Sequence, residues 1–143
     1  MIIQQISVFL ENRSGQLAEI TQVLAEKNID LRAIHIAETT DYGILRLIAN
    51  RPQEAAQVLW DKGYIVSTRP VVAAPVPDHP GGLAQILEVL TREGIDIDYM
   101  YSMFGSREDT AYMIFRVRDV KRLTSVLEAN GFNGAEAAEL GIH

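Results

Sequence analysis

The chain writes nearly the same ten residues twice. ENRSGQLAEI (Glu11–Ile20) returns as PDHPGGLAQI (Pro77–Ile86), 66 positions later (77 − 11). The register holds beyond that stretch. Leu17 matches Leu83, Ala18 matches Ala84, Ile20 matches Ile86 and Leu24 matches Leu90, and NIDL from Asn28 matches GIDI from Gly94. Further on, YGILRLI from Tyr42 resembles YMIFRVR from Tyr112, and VLWDKGY from Val58 resembles VLEANGF from Val126. The offset there drifts to 70 (112 − 42) and 68 (126 − 58), as loop insertions produce. Two copies of so long a period describe a duplicated small domain and not a solenoid. Boundaries are expected at 1–68 and 69–143.

Each copy reads as the same order of elements. Gln5–Leu10 and Pro70–Val76 carry the β-branched alternation of strands. Leu17, Ile20 and Leu24, and Leu83, Ile86, Leu87 and Leu90, carry helical spacing. These helices are expected to end near Lys27–Asn28 and Arg92–Gly94. Asp30–Glu38 and Asp96–Phe104 read as extended, Gly43–Ala49 and Ala111–Val117 as strands. Second helices run from Pro52 and Val120 and stop at Gly63 and Gly131. Tyr64–Arg69 closes the first copy as a strand, while the tail from Phe132 is a strand or a short helix. The order is βαββαβ, twice. It predicts an α+β fold of two ferredoxin-like units, each an antiparallel four-stranded sheet with its helices on one face. Strands apolar on both faces, such as Gly43–Ala49, predict that the second sheet face is covered or that a sheet edge is joined.

Composition removes whole classes of function. There are 13 Lys plus Arg against 19 Asp plus Glu, a formal charge of −6, and no basic run to meet a phosphate backbone. Nucleic acid is therefore not expected as a partner, and no apolar run reaches the ~20 residues that cross a bilayer. No cysteine is present. His35, His79 and His143 are too far apart to form a metal set, so no metal and no cofactor is expected. A cytoplasmic location is expected.

The repeated turn is where chemistry can reside. Asn12 and Asp78 stand where a side chain caps or brackets the following helix. Pro80 pre-sets a first helical turn, and Gly15, Gly81 and Gly82 let another group approach the backbone. Amides at a helix start, with the helix dipole, attract an anion. A carboxylate fits there, and a neighbouring Asn or Asp accepts from an ammonium, so a free α-amino acid satisfies both. The same pattern also serves as ordinary turn chemistry that binds nothing.

NRSG (Asn12–Gly15) and DHPG (Asp78–Gly81), each followed by a Leu-Ala-x-Ile helix and then NIDL or GIDI, resemble ACT domains. The resemblance spans the chain as a tandem pair without a catalytic domain, like small stand-alone double-ACT proteins of bacteria. It implies a non-enzymatic sensor that binds an amino acid at the turn and at the interface between paired units, and so regulates an enzyme or transport. It places Asn12, Arg13, Ser14, Gly15, Gln16 and Leu17 against one ligand, and Asp78, His79, Pro80, Gly81, Gly82 and Leu83 against another. The wall opposite is expected from Ile29, Asp30 and Leu31, and from Ile95, Asp96 and Ile97. The first copy departs from the family pattern, with Ser14 for Pro and Asn12 for Asp, so it is either a weaker site or a vestige.

The expected ligand has an apolar, aromatic or imidazole side chain, and a homodimer is expected to use any sheet face or edge left over. The regulated enzyme is not legible. Two other readings compete. An acylphosphatase-like hydrolase needs an anion loop with Arg and Asn, which Asn12 and Arg13 allow but Asp78 opposes. A structural adaptor would use the sheets for protein association alone. Tyr99, Met100, Tyr101, Met103 and Phe104 read as packing or pocket lining, and Arg46 and Arg116 as interface ion pairs or carboxylate contacts.

Overall fold

In a computed structural model, residues 1–11, 13–38 and 41–143 are described, the side chain of Ser106 excepted. The element order is β1 (Ile2–Glu11), α1 (Gln16–Glu26), β2 (Leu31–Glu38), β3 (Tyr42–Ala49), α2 (Pro52–Asp61), β4 (Val66–Pro77), α3 (Gly82–Arg92), β5 (Tyr99–Arg107), β6 (Thr110–Arg116) and α4 (Val120–Ala129). A 3-10 turn, Ala137–Leu140, follows. Two compact units result. The first holds Gln4–Arg69 with Gly141–His143, and the second holds Pro70–Leu140 with Met1–Ile3.

In the first unit β3 pairs antiparallel with both β1 and β2, for example Val8 with Leu45 and Ile34 with Leu47. Alternation sets the core: Ile6, Val8 and Leu10 of β1 and Leu45, Leu47 and Ala49 of β3 meet Ile20 and Leu24 of α1 and Ala55 and Leu59 of α2. Both helices therefore cover one sheet face. Arg51, at the start of α2, donates from Nη2 to the Lys27 and Asn28 carbonyls at 2.8 and 2.9 Å. That bond satisfies carbonyls left open at the end of α1 and fixes the start of α2 beside it.

In the second unit β6 pairs antiparallel with β4 and β5. Val72, Ala74, Val76, Ile86, Leu90, Phe115, Val117, Leu123 and Leu127 make its core. Asp119 caps α4, its carboxylate accepting from the Arg122 amide at 3.0 Å. Arg122 in turn donates to the Glu93 carbonyl at the end of α3.

The expectation of two open four-stranded sheets is corrected. The six strands order as β1-β3-β2-β5-β6-β4 in a closed barrel. The cause lies in two long strands. β4 runs unbroken for 12 residues where two strands were expected, with Val66–Arg69 in the first unit and Pro70–Pro77 in the second. β1 likewise begins in the second unit, at Ile2 and Ile3, and ends in the first. The Met1 carbonyl accepts from the Ala73 amide at 2.9 Å, so the place beside β4 is taken by the N-terminus and not by the chain's tail. The tail instead folds its 3-10 turn, and the His143 amide donates to Asn50 at 2.6 Å in the first unit.

Candidate functional site: the two glycine turns

Both turns come out alike. Gly15 (φ 81°, ψ 0°) precedes α1, and Gly81 (φ 87°, ψ −6°) precedes α3. An L side chain at such a φ is strained, which accounts for glycine at both. A Cβ at either glycine would meet nothing within 4 Å, so open space lies beside each. Among the described residues no side chain caps either helix. The first bonds into each helix run from the Glu19 amide to Gly15 (3.0 Å) and from the Gln85 amide to Gly81 (3.1 Å). The amides of Leu17, Ala18, Leu83 and Ala84 stand before those bonds and have no helical carbonyl to reach.

Asp78 does not cap α3. Its amide donates to the Asp109 carbonyl at 2.7 Å, which ties the turn to the β5–β6 hairpin, and its side chain is exposed. His79 and Pro80 are exposed as well. His79 Nδ1 lies 3.0 Å from the Pro80 carbonyl, an acceptor, so the proton sits on Nδ1. Gly82 is buried against β4: a Cβ there would lie 1.8 Å from the Pro77 oxygen. Leu83 is exposed. Beside this turn lies a cleft of about 400 Å³, lined by Pro75, Pro77, His79, Asp109, Thr110, Gly131, Phe132 and Asn133. Only His79 of that lining was among the sequence-predicted residues. The others come from the end of β4, the hairpin and the exit of α4. The match of NGF (Asn130–Phe132) with KGY (Lys62–Tyr64) marks that exit as part of the repeat, but nothing in it announces a cleft.

In the first turn, Asn12 lies outside the described residues. Arg13 and Ser14 are exposed, and Arg13 pairs with Glu19 at 3.5 Å, an exposed contact of little energetic weight. Leu17 packs on the core. Gln16, the match of Gly82, is buried at 6% exposure, and its Oε1 has no hydrogen-bond partner among the described residues. Tyr64, at the exit of α2, is buried at 8%. Its hydroxyl faces the Glu19 carboxylate. Burial, and then that carboxylate, push the phenol up to about 12.

The expected opposite walls lie elsewhere in each unit. Ile29 is in the first core, Asp30 pairs with Arg32 at 3.1 Å, and Leu31 packs on the same core. Ile95 and Ile97 pack on the second core and Asp96 is exposed. These residues follow the C-terminal end of an 11-residue helix, whereas the glycine precedes its start. At 1.5 Å per residue the two ends stand roughly 16 Å apart, so within one unit the two sets do not converge.

Among the described residues no group of His, Asp or Glu is arranged to hold a metal ion, and no helix is long and apolar enough to cross a membrane.

The fold has known relatives. A crystal structure of a Bacteroides thetaiotaomicron protein is 39% identical, covers 99% of this chain and 96% of its own, and superposes with a TM-score of 0.90. The ligand-free regulatory subunit of aspartate kinase from Thermus thermophilus shares the fold at 16% identity (TM-score 0.62, 92% of this chain, 97% of that one). The corresponding subunit from Thermus flavus does so at 14% (0.62, 98% and 95%). No curated protein matches. A family model described as an ACT domain pair matches residues 1–140, and the chain belongs to that family.

Proposed function

We propose that this chain is an amino-acid-binding regulatory module and not an enzyme. The observation that carries the reading is the pair of helix starts at Gly15 and Gly81, each with open space beside a left-handed glycine and, among the described residues, no side chain capping the helix. A ligand carboxylate accepts from the Leu83 and Ala84 amides, where the helix dipole favours negative charge. The ammonium meets exposed acceptors of the turn, Asp78 foremost. The side chain enters the cleft beside His79 and Phe132, whose volume of about 400 Å³ falls within the range of small-molecule sites. Its lining favours an apolar, aromatic or imidazole side chain.

Membership of the ACT domain pair family supports this, as do fold-level likenesses to regulatory subunits of aspartate kinase. Regulation follows if the ligand prefers one arrangement of the chain or its partner enzyme. The shift is bounded by that preference in affinity. A hydrolase on this fold is opposed by Asp78, whose charge would repel a phosphate at the same amides.

A thermal-shift screen of the twenty amino acids, one at a time, tests the proposal. A ligand at 100 times its Kd stabilises by about 2.7 kcal/mol. For a chain of this size that raises Tm by roughly 5–10 °C. No rise with any amino acid would refute it.

A further inference from the structure

We propose that the cleft at the second turn selects an amino acid whose side chain is a ring bearing an N–H, imidazole or indole, and that Asp109 reads that N–H. This rests on the amino-acid-binding reading above and adds to it the class of ligand and a residue that specifies it.

The β5–β6 hairpin brings Asp109 to the turn. β4 pairs with β6 as far as Pro77 opposite Thr110. One step further on, the Asp78 amide donates to the Asp109 carbonyl at 2.7 Å, which fastens the tip of the hairpin beside the turn. That bond uses the backbone of Asp109, whose side chain is exposed. On the β4 side, the His79 amide donates to the Pro77 carbonyl at 2.9 Å and holds His79 at the end of the strand. Asp109 and His79 line the cleft together with Pro75, Pro77 and Phe132.

Two properties of that lining set the ligand. Pro75 is buried in β4 and Phe132 packs on the second core, so the apolar part is fixed in place. Proline and phenyl rings offer flat faces against which an aromatic ring packs. The polar groups beside them are acceptors. An ionised carboxylate only accepts, and His79, with its Nδ1 proton turned to the Pro80 carbonyl, keeps a lone pair on Nε2. Among the described residues the lining holds no Lys or Arg, so an acidic side chain finds no charge partner there. A plain phenyl ring fills the apolar part and leaves Asp109 to water. Imidazole or indole fills the same space and also donates to Asp109. A donor on a carboxylate is held more strongly than on a neutral acceptor, while exposure to solvent keeps the gain modest. The first unit carries other groups at the matching positions, Phe9 and Glu11 for Pro75 and Pro77 and Arg13 for His79, so this selection belongs to the second turn alone.

The test is an NMR titration of the full chain at pH 8, where a free imidazole, with an ordinary pKa of about 6.5, is neutral. The Leu83 and Ala84 amides report the second turn, and the Leu17 and Ala18 amides the first. Histidine and tryptophan are expected to move the Leu83 and Ala84 amides at roughly three- to tenfold lower concentration than phenylalanine. Histidine methylated at either ring nitrogen has no ring N–H at that pH and is expected to fall to the level of phenylalanine. Asp109→Ala is expected to remove the advantage of histidine and tryptophan and to leave the affinity for phenylalanine unchanged, because the tether to Asp78 is a backbone bond. Phenylalanine binding as tightly as histidine and tryptophan, or the same order of ligands in Asp109→Ala as in the parent, overturns this inference while the amino-acid reading stands. If no amino acid moves either pair of amides, that reading fails and takes the selection with it.

Discussion

Replacing Gly82 with alanine sets two ordinary effects against each other, and the structure decides the sign. Gly82 is the first residue of α3 and has no left-handed φ. By propensity alone alanine should stabilise the helix, by up to about 1 kcal/mol. The new Cβ, however, would lie 1.8 Å from the Pro77 oxygen, 2.8 Å from its carbonyl carbon and 3.2 Å from its Cβ. Two of those atoms are backbone, and the third belongs to a proline ring, so no flexible side chain can swing away. Either the start of α3 or the end of β4 must move. Overpacking of this kind costs typically 1–3 kcal/mol, and a backbone contact belongs at the upper end. The expected net loss is about 2 kcal/mol, or roughly 4–8 °C in Tm. Differential scanning calorimetry measures it directly. Binding at the second turn should weaken as well, because the Leu83 and Ala84 amides ride on the displaced helix start. A Gly82→Ala protein with a Tm equal to or above the parent would refute the close packing of α3 on β4.

Arg51→Ala should lower stability by about 1–3 kcal/mol in urea titration, since it leaves the Lys27 and Asn28 carbonyls without their charged donor. Ile3→Ala, at a position only 4% exposed, should cost about 2–4 kcal/mol. Hydrogen exchange should show the Ala73 amide, bonded to Met1, losing protection in that variant. Tyr64 ionises near 10 when unfolded and about 12 when folded, so its neutral form stabilises the fold fully below pH 10. That contribution is lost as pH rises from 10 to 12, and Tyr64→Phe should flatten the alkaline decline followed by circular dichroism.

Much of the local structure was legible because it was written twice. The helical spacing of Ile20 and Leu24, and of Ile86 and Leu90, placed α1 and α3 and their buried faces as observed. The exits at Lys27–Asn28 and Arg92–Gly94 followed from residue types that tolerate a helix end. What was not legible depends on partners distant in sequence. The tail from Phe132, open between a strand and a short helix in the sequence, folds a 3-10 turn, while Met1 lies beside Ala73, and nothing in either segment encodes that pairing. The same long-range choice joins the strands into a closed order. At the turns, sequence identified the glycines but not their surroundings. Asp78 looks like a helix cap, yet its amide is drawn to Asp109 across the hairpin. Gln16 and Gly82 align as equivalent letters of a repeat, and only packing shows that one leaves a polar atom buried while the other leaves no room for a methyl group.

The most direct test is a crystal structure of the chain grown with whichever amino acid stabilises it most. Density for the ligand is expected beside Gly81, with a carboxylate oxygen about 2.7–3.2 Å from the Leu83 or Ala84 amide. A bound amino acid located away from both helix starts, or a turn that stays open at saturating ligand, would contradict it.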